Sequence, residues 1–179
     1  IYEKKGSSGL LVFLKLKHII YKLEKNKKKT IMLEDTQTIV YTNANFQKNK
    51  SLDSNNKVIE PFIFKSFSTD PVMLFRYSAL TFNSHRIHYD YKYAKNNENY
   101  PDLVVHGPFM ATILAMWAKE INNKKIIKNF SFKIKNPAFV GEKIFLESDF
   151  NVKLNKDYSN FWIKNSEGKL ILKSKVYYI

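Results

Sequence analysis

The chain has 179 residues, of which 44% are hydrophobic and 15% aromatic. That supports one packed domain, or a small domain plus part of another, and excludes global disorder. It has no cysteine, which rules out disulfides, thiolate metal sites and a cysteine nucleophile and favours a reducing compartment. The formal net charge is +14, from 30 Lys and Arg against 16 Asp and Glu. A phosphate-rich ligand such as coenzyme A, a phosphopantetheine carrier or nucleic acid would suit that charge. The lysines are dispersed, however, in runs such as Lys25 to Lys29 and Lys48 to Lys50, which reads as solvated, chain-wide composition.

No stretch is apolar enough to cross a membrane: Gly9 to Phe13 soon meets Lys15 and Lys17. No signal peptide is visible. The chain starts at Ile1 and enters strand-like sequence at once, so a preceding segment is expected and a targeting sequence there stays open. Leu10 to Tyr21 alternates as a strand, Leu23 to Thr30 is a charged loop, and Ile31 to Tyr41 returns as a second strand. Such a hairpin needs a larger sheet. Asn43 to Lys57 is polar and aperiodic, the best linker candidate. The expected organisation is residues 1–42, a linker over 43–59, and a second domain over 60–179.

Thr69-Asp70-Pro71 supplies a capping residue and a first-turn proline. A helix is expected through Met73, Leu74, Tyr77, Ser78 and Leu80, stopping near Asn83. Tyr89 to Asn97 reads as a second, short helix capped by Asp90. Gly107 to Ile121 is the strongest helix. Met110, Ile113, Leu114, Trp117 and Ile121 recur at helical spacing, and Ala111, Ala115 and Ala118 fill the other side. Apolar nearly all round, it is expected to be buried, with Met110, Met116 and Trp117 in the core. Four strands should follow: Ile126 to Lys135, Glu142 to Leu154, Phe161 to Lys164 and Lys169 to Tyr178. Asn155 to Asn160 and Asn165 to Gly168 supply turns. The order implies an α+β fold with an antiparallel sheet around the long helix.

Three of the four histidines, His85, His88 and His106, lie close in sequence, and histidine suits proton transfer at neutral pH. His106-Gly107-Pro108 leads the chain into the long helix. A helix start offers unpaired N–H groups and a positive dipole end, and Gly107 leaves room for close approach. Its N–H can serve as an oxyanion hole. Alternatively, His-Gly-Pro is only a tight turn. A metal site built on the three histidines would lack an obvious carboxylate partner. His18, in a lysine-rich strand, is expected to be exposed.

The segments Ala79 to Ala94 and Val104 to Leu114 resemble the hydratase signature of the MaoC-like dehydratase/hydratase family. The run Phe75 to Asn83 with His85 to Asp90 resembles the branch of mesaconyl-CoA hydratase and hydroxyacyl-thioester dehydratase type 2. Gly6 to Phe13 and Asp35 to Tyr41 resemble the end of a first hot-dog half in that branch. The resemblance implies a hot-dog fold, a truncated double hot-dog with residues 1–42 as a partial N-terminal remnant and the acyl tail in a groove beside it. It implies a hydro-lyase acting on the α,β double bond of an acyl thioester. The carrier is coenzyme A or an acyl-carrier protein, and no cofactor, metal, nucleic acid or membrane is needed. A homo-oligomer and a cytoplasmic place, mitochondrial in a eukaryote, are compatible with it. His88 matches the catalytic histidine and Gly107 the oxyanion-hole glycine. Asn83 stands where the general signature has aspartate. An amide cannot take a proton, so Asn83 would orient water or thioester. His85, Arg86 and His106 are candidate substrate contacts, Arg86 for a carboxylate or phosphate. The competing readings are a 3-hydroxyacyl-carrier dehydratase, a non-catalytic acyl-CoA-binding hot-dog domain that Asn83 keeps open, and a nucleic-acid binder resting on charge alone.

Overall fold

Unpaired strand edges and one-sided apolar faces force partners on each other, and the chain finds them in two compact units, Ile1–Phe46 and Gln47–Ile179. The computed structural model describes residues 1–6, 9–25, 27–42, 61, 63–151 and 157–179. The stretch expected as a linker, 43–59, lies outside the described residues. In the first unit, β1 (Tyr2–Gly6), β2 (Gly9–Leu23) and β3 (Lys29–Thr42) form an antiparallel sheet in the order β1-β2-β3. The β2–β3 hairpin is longer at both ends than the alternation implied, and its register shifts at Ile20/Tyr21. His18 is exposed on β2, opposite Asp35.

The second unit holds β4 (Ile63–Ser68), α1 (Pro71–Leu80), a short 3₁₀ turn (Arg86–His88), α2 (Tyr91–Asn96), α3 (Gly107–Ile121) and strands β5 (Ile127–Ile134), β6 (Lys143–Ser148), β7 (Tyr158–Asn165) and β8 (Leu170–Tyr178). The five strands form one antiparallel sheet, β4-β6-β7-β8-β5. The pairing brings Phe67 beside Ile144 and Ile134 beside Leu172, so both edge strands come from distant sequence.

Strand side chains alternate between faces. Ile144, Leu146, Phe161, Ile163, Leu172 and Val176 all turn to the same side and are buried with Met110, Leu114, Trp117 and Ala118 of α3 in one core. Burying each large apolar side chain contributes about 1.5–3 kcal/mol. The Trp117 and Phe161 rings meet edge to face at 5.7 Å, and the Tyr178 hydroxyl donates to the Ala118 carbonyl at 3.3 Å. Two details correct the sequence reading. α3 is not buried all round: Pro108, Thr112, Met116 and Glu120, four residues apart, form an exposed stripe, and Met116, 69% exposed, is not core. β6 ends at Ser148, because the Asp149 carboxylate turns to accept from the Asn160 backbone and side-chain N–H groups at 2.7 and 2.6 Å.

Helix starts follow the capping chemistry. The Asp70 carboxylate accepts from the Met73 N–H at 2.8 Å, and Asp90 accepts from the Tyr93 N–H at 3.0 Å. Asp90→Ala should cost about 0.5–2 kcal/mol, and Asp90→Asn much less, because asparagine retains the cap. Urea denaturation of the two variants checks this; equal losses would place the effect in the carboxylate's charge instead.

Candidate active site

After α1 the chain reverses. The Asn83 N–H donates to the Ser78 carbonyl at 2.9 Å, with Phe82 in the left-handed region at φ 53°. For a bulky residue this conformation costs on the order of 1 kcal/mol, and it aims the next residues back along the helix. The Asn83 side-chain oxygen accepts from the His85 N–H at 3.1 Å, an Asx turn that leaves the amide N–H groups as donors.

His88 follows on the 3₁₀ turn and is 7% exposed. The Val104 N–H donates to the Ile87 carbonyl at 2.9 Å, and the Val105 N–H to the Ala138 carbonyl at 2.9 Å. The first bond straps residues 86–88 to the segment entering α3, and the second ties that segment to Ala138. His88 Nδ1 lies 2.7 Å from the Val104 carbonyl oxygen. A carbonyl only accepts, so Nδ1 carries the hydrogen and Nε2 keeps its lone pair. The His88 ring stacks on the His106 ring, centroids 3.7 Å apart at 18°. His85 meets His88 edge-on at 5.7 Å from the exposed side. His106, 0% exposed, is the innermost of the three. Its Nε2 is 2.8 Å from Ser78 Oγ, and the Tyr77 ring packs edge to face against it at 4.9 Å.

Gly107 follows His106 directly. A Cβ there would meet Ile134 side-chain carbons at 3.0 Å, so a larger residue would have to push the Ile134 side chain of β5 aside. The first N–H groups of a helix have no acceptor within it, and the dipole there favours negative charge.

Arg86 is engaged elsewhere. Its guanidinium donates twice to Asp90 Oδ2, at 3.1 and 2.6 Å, and lies over the Tyr93 ring at 4.3 Å. The bond to Asp90 holds Arg86 above its ordinary pKa, and the Tyr93 N–H, then Arg86, hold Asp90 below its own. His88, His106 and the start of α3 thus come together, His85 lies at their solvent side, and Arg86 is tied to α2. Among the described residues, no group of three or more His, Asp or Glu side chains is arranged to hold a metal ion. The sequence reading missed Ser78 and the Val104 carbonyl as site elements. Ser78 had one signal: it follows Leu74 by four residues on the buried face of α1.

Burial pushes His88 below 6.5, opposed by the Val104 bond and reinforced by His85. Burial, then the neighbouring His88, pushes His106 down to about 3 from 6.5. Both rings are neutral at pH 7. The unfolded chain therefore binds more protons below pH 6.5, and stability falls as pH drops from there towards the folded values. The urea midpoint should start to fall between about pH 6.5 and 5, before carboxylates protonate. A flat midpoint over that interval would contradict buried neutral histidines.

Residues 3–140 match the model of the family described as hydroxyacyl-thioester dehydratase type 2. The chain is 38% identical over 139 residues to mesaconyl-C(4)-CoA hydratase of Chloroflexus aurantiacus, covering 78% of this chain and 48% of that protein. It is 33% identical over 122 residues to the mitochondrial hydroxyacyl-thioester dehydratase type 2 of Schizosaccharomyces pombe, covering 64% of this chain and 38% of that one. The chain thus spans half or less of the length of these relatives. Among solved structures it is similar to the (R)-hydratase from A. caviae involved in PHA biosynthesis, with TM-score 0.56, 18% identity, and coverage of 68% of this chain and 96% of that one. It is also similar to the HadBC (3R-hydroxyacyl-ACP dehydratase) complex of Mycobacterium tuberculosis, with TM-score 0.53, 16% identity, and coverage of 64% and 90%. At these identities the likeness shows the fold alone, and that fold is the α+β hot-dog.

Proposed function

The chain belongs to the hydroxyacyl-thioester dehydratase type 2 family, and we propose that it adds water to, or removes it from, the α,β double bond of an acyl thioester. One observation carries this reading. His88 is a buried neutral imidazole whose Nδ1–H is committed to Val104, and its ring stacks on the residue just before the glycine that opens α3.

The chemistry follows from those groups. His88 Nε2 takes a proton from water as the oxygen bonds to the β carbon. The electron pair of the double bond moves to the thioester oxygen, where the Gly107 N–H and the helix start stabilise the enolate. The protonated His88 is then placed to deliver a proton to the α carbon, so that H and OH are added overall. The Asn83 amide N–H groups orient the water or the thioester. His85, at the solvent side, and Arg86, if released from Asp90, border the substrate's path. The name of one relative, mesaconyl-C(4)-CoA hydratase, supports coenzyme A as the carrier, and that of another supports, for a eukaryotic source, the mitochondrion as the compartment. Residues 1–42 are read as part of a first hot-dog half. No helix of the described residues is long and apolar enough to cross a membrane.

The test is turnover by the full chain of mesaconyl-CoA, crotonyl-CoA and a crotonyl-loaded carrier protein, followed by loss of the enoyl-thioester absorbance. Hydration of any of the three supports the reading, and the preferred one identifies branching and carrier. Rates no higher than the buffer blank with all three would overturn it.

A further inference from the structure

We propose that Ser78 and His106 form a buried positioning pair for the reaction proposed above, fixing a neutral ring as the platform on which the His88 base is held. The proposal rests on that reading for its kinetic consequence but not for its geometry. Ser78 lies on α1 and His106 at the mouth of α3, yet Oγ and Nε2 are 2.8 Å apart in a buried setting. An apolar pair could fill this space without desolvating a hydroxyl and an imidazole. The imidazole is moreover only half satisfied, because His106 Nδ1 is buried with no hydrogen-bond partner among the described residues. Either tautomer joins the two groups: the Ser78 hydroxyl donates to a bare Nε2, or an Nε2–H donates to Ser78 Oγ, and the one bond fixes the ring between α1 and the start of α3.

The consequence falls on His88. Its edge is fixed by the Val104 carbonyl and its face by His106, 3.7 Å away. Two contacts in different directions leave one orientation for Nε2. A charged ring at that distance would oppose protonation of His88, whereas a neutral ring lets His88 take up and return a proton. The other groups facing this stack are His85, edge-on to His88 from the loop, and Tyr77 of α1, against His106. Burial and His88 together push His106 far below the range in which it would charge.

The experiment is imidazole-nitrogen NMR on the full chain, alongside steady-state kinetics on crotonyl-CoA, for wild type, Ser78→Ala and Ser78→Thr. In wild type, His106 should remain neutral and in one tautomer from about pH 8 to 5. In Ser78→Ala, His106 should show mixed tautomers and the His88 nitrogen shifts should change. The kcat should fall roughly ten- to a hundredfold with KM nearly constant, and Ser78→Thr should recover most of it. A folded Ser78→Ala with wild-type His88 and His106 spectra overturns the proposal. So does a wild-type His106 that mixes tautomers or titrates within that range, a result that stands even if Ser78→Ala does not fold. If wild type hydrates nothing, the proposed reaction fails, while the spectra alone still decide the pair.

Discussion

Replacing His88 with asparagine should slow enoyl-thioester hydration by about a hundred- to ten-thousandfold, the usual contribution of a positioned general acid–base group. The ring is buried, and its Nδ1–H is committed to the Val104 carbonyl. Alanine would leave that carbonyl short of a donor, at about 1–3 kcal/mol, and so mix a folding defect with a chemical one. Asparagine can offer an amide N–H in place of Nδ1–H but has no titratable nitrogen. The loss should therefore fall on kcat, with the thermal midpoint changed less than in His88→Ala. The pH profile gives a second reading of the same group. Wild-type kcat/KM should fall on the acid side with a midpoint below 6.5, the direction in which burial moves His88, because only the neutral ring accepts the proton from water.

Phe161→Ala should destabilise the second unit by about 3–5 kcal/mol, the range for emptying a large aromatic from a packed core. Phe161 is 0% exposed and packs edge to face on Trp117 of α3, so its removal opens a cavity between the sheet and the helix that carries Gly107. The measurement is the urea midpoint and slope of the variant against wild type. A loss under about 1 kcal/mol would mean that the site collapses around the gap, and that the sheet does not hold α3 as described.

What was legible in the sequence was local. α3 was readable to both ends, because His106-Gly107-Pro108 marks its start and the Met110, Leu114, Trp117 series marks its buried face. The same series could have excluded Met116, which falls in step with Pro108 and Thr112 on the exposed side. β4 was not seen. Ile63 and Phe64 are adjacent, Lys65 and Ser66 follow, and the strand exists because β6, far along the chain, pairs with it. β7 starts earlier than the apolar run, at Tyr158, because Asn160 is held by Asp149 of the neighbouring segment. In the site, the histidine cluster and the glycine were readable from type and spacing. The stacking of His88 on His106 and the bond to Ser78 were not, since each joins residues on different elements. The Arg86–Asp90 ion pair sits at the i,i+4 spacing and could have been anticipated; it makes Arg86 a less available substrate contact than its charge alone implied.

The most direct measurement uses crotonyl-CoA in water enriched in heavy oxygen, with the 3-hydroxyacyl product read by mass spectrometry. The wild-type chain should place the heavy oxygen on the β carbon, and His88→Asn should leave the thioester unlabelled over the same time. An unlabelled product with wild type, or equal labelling by the two proteins, would contradict the assignment of His88 as the base that activates water.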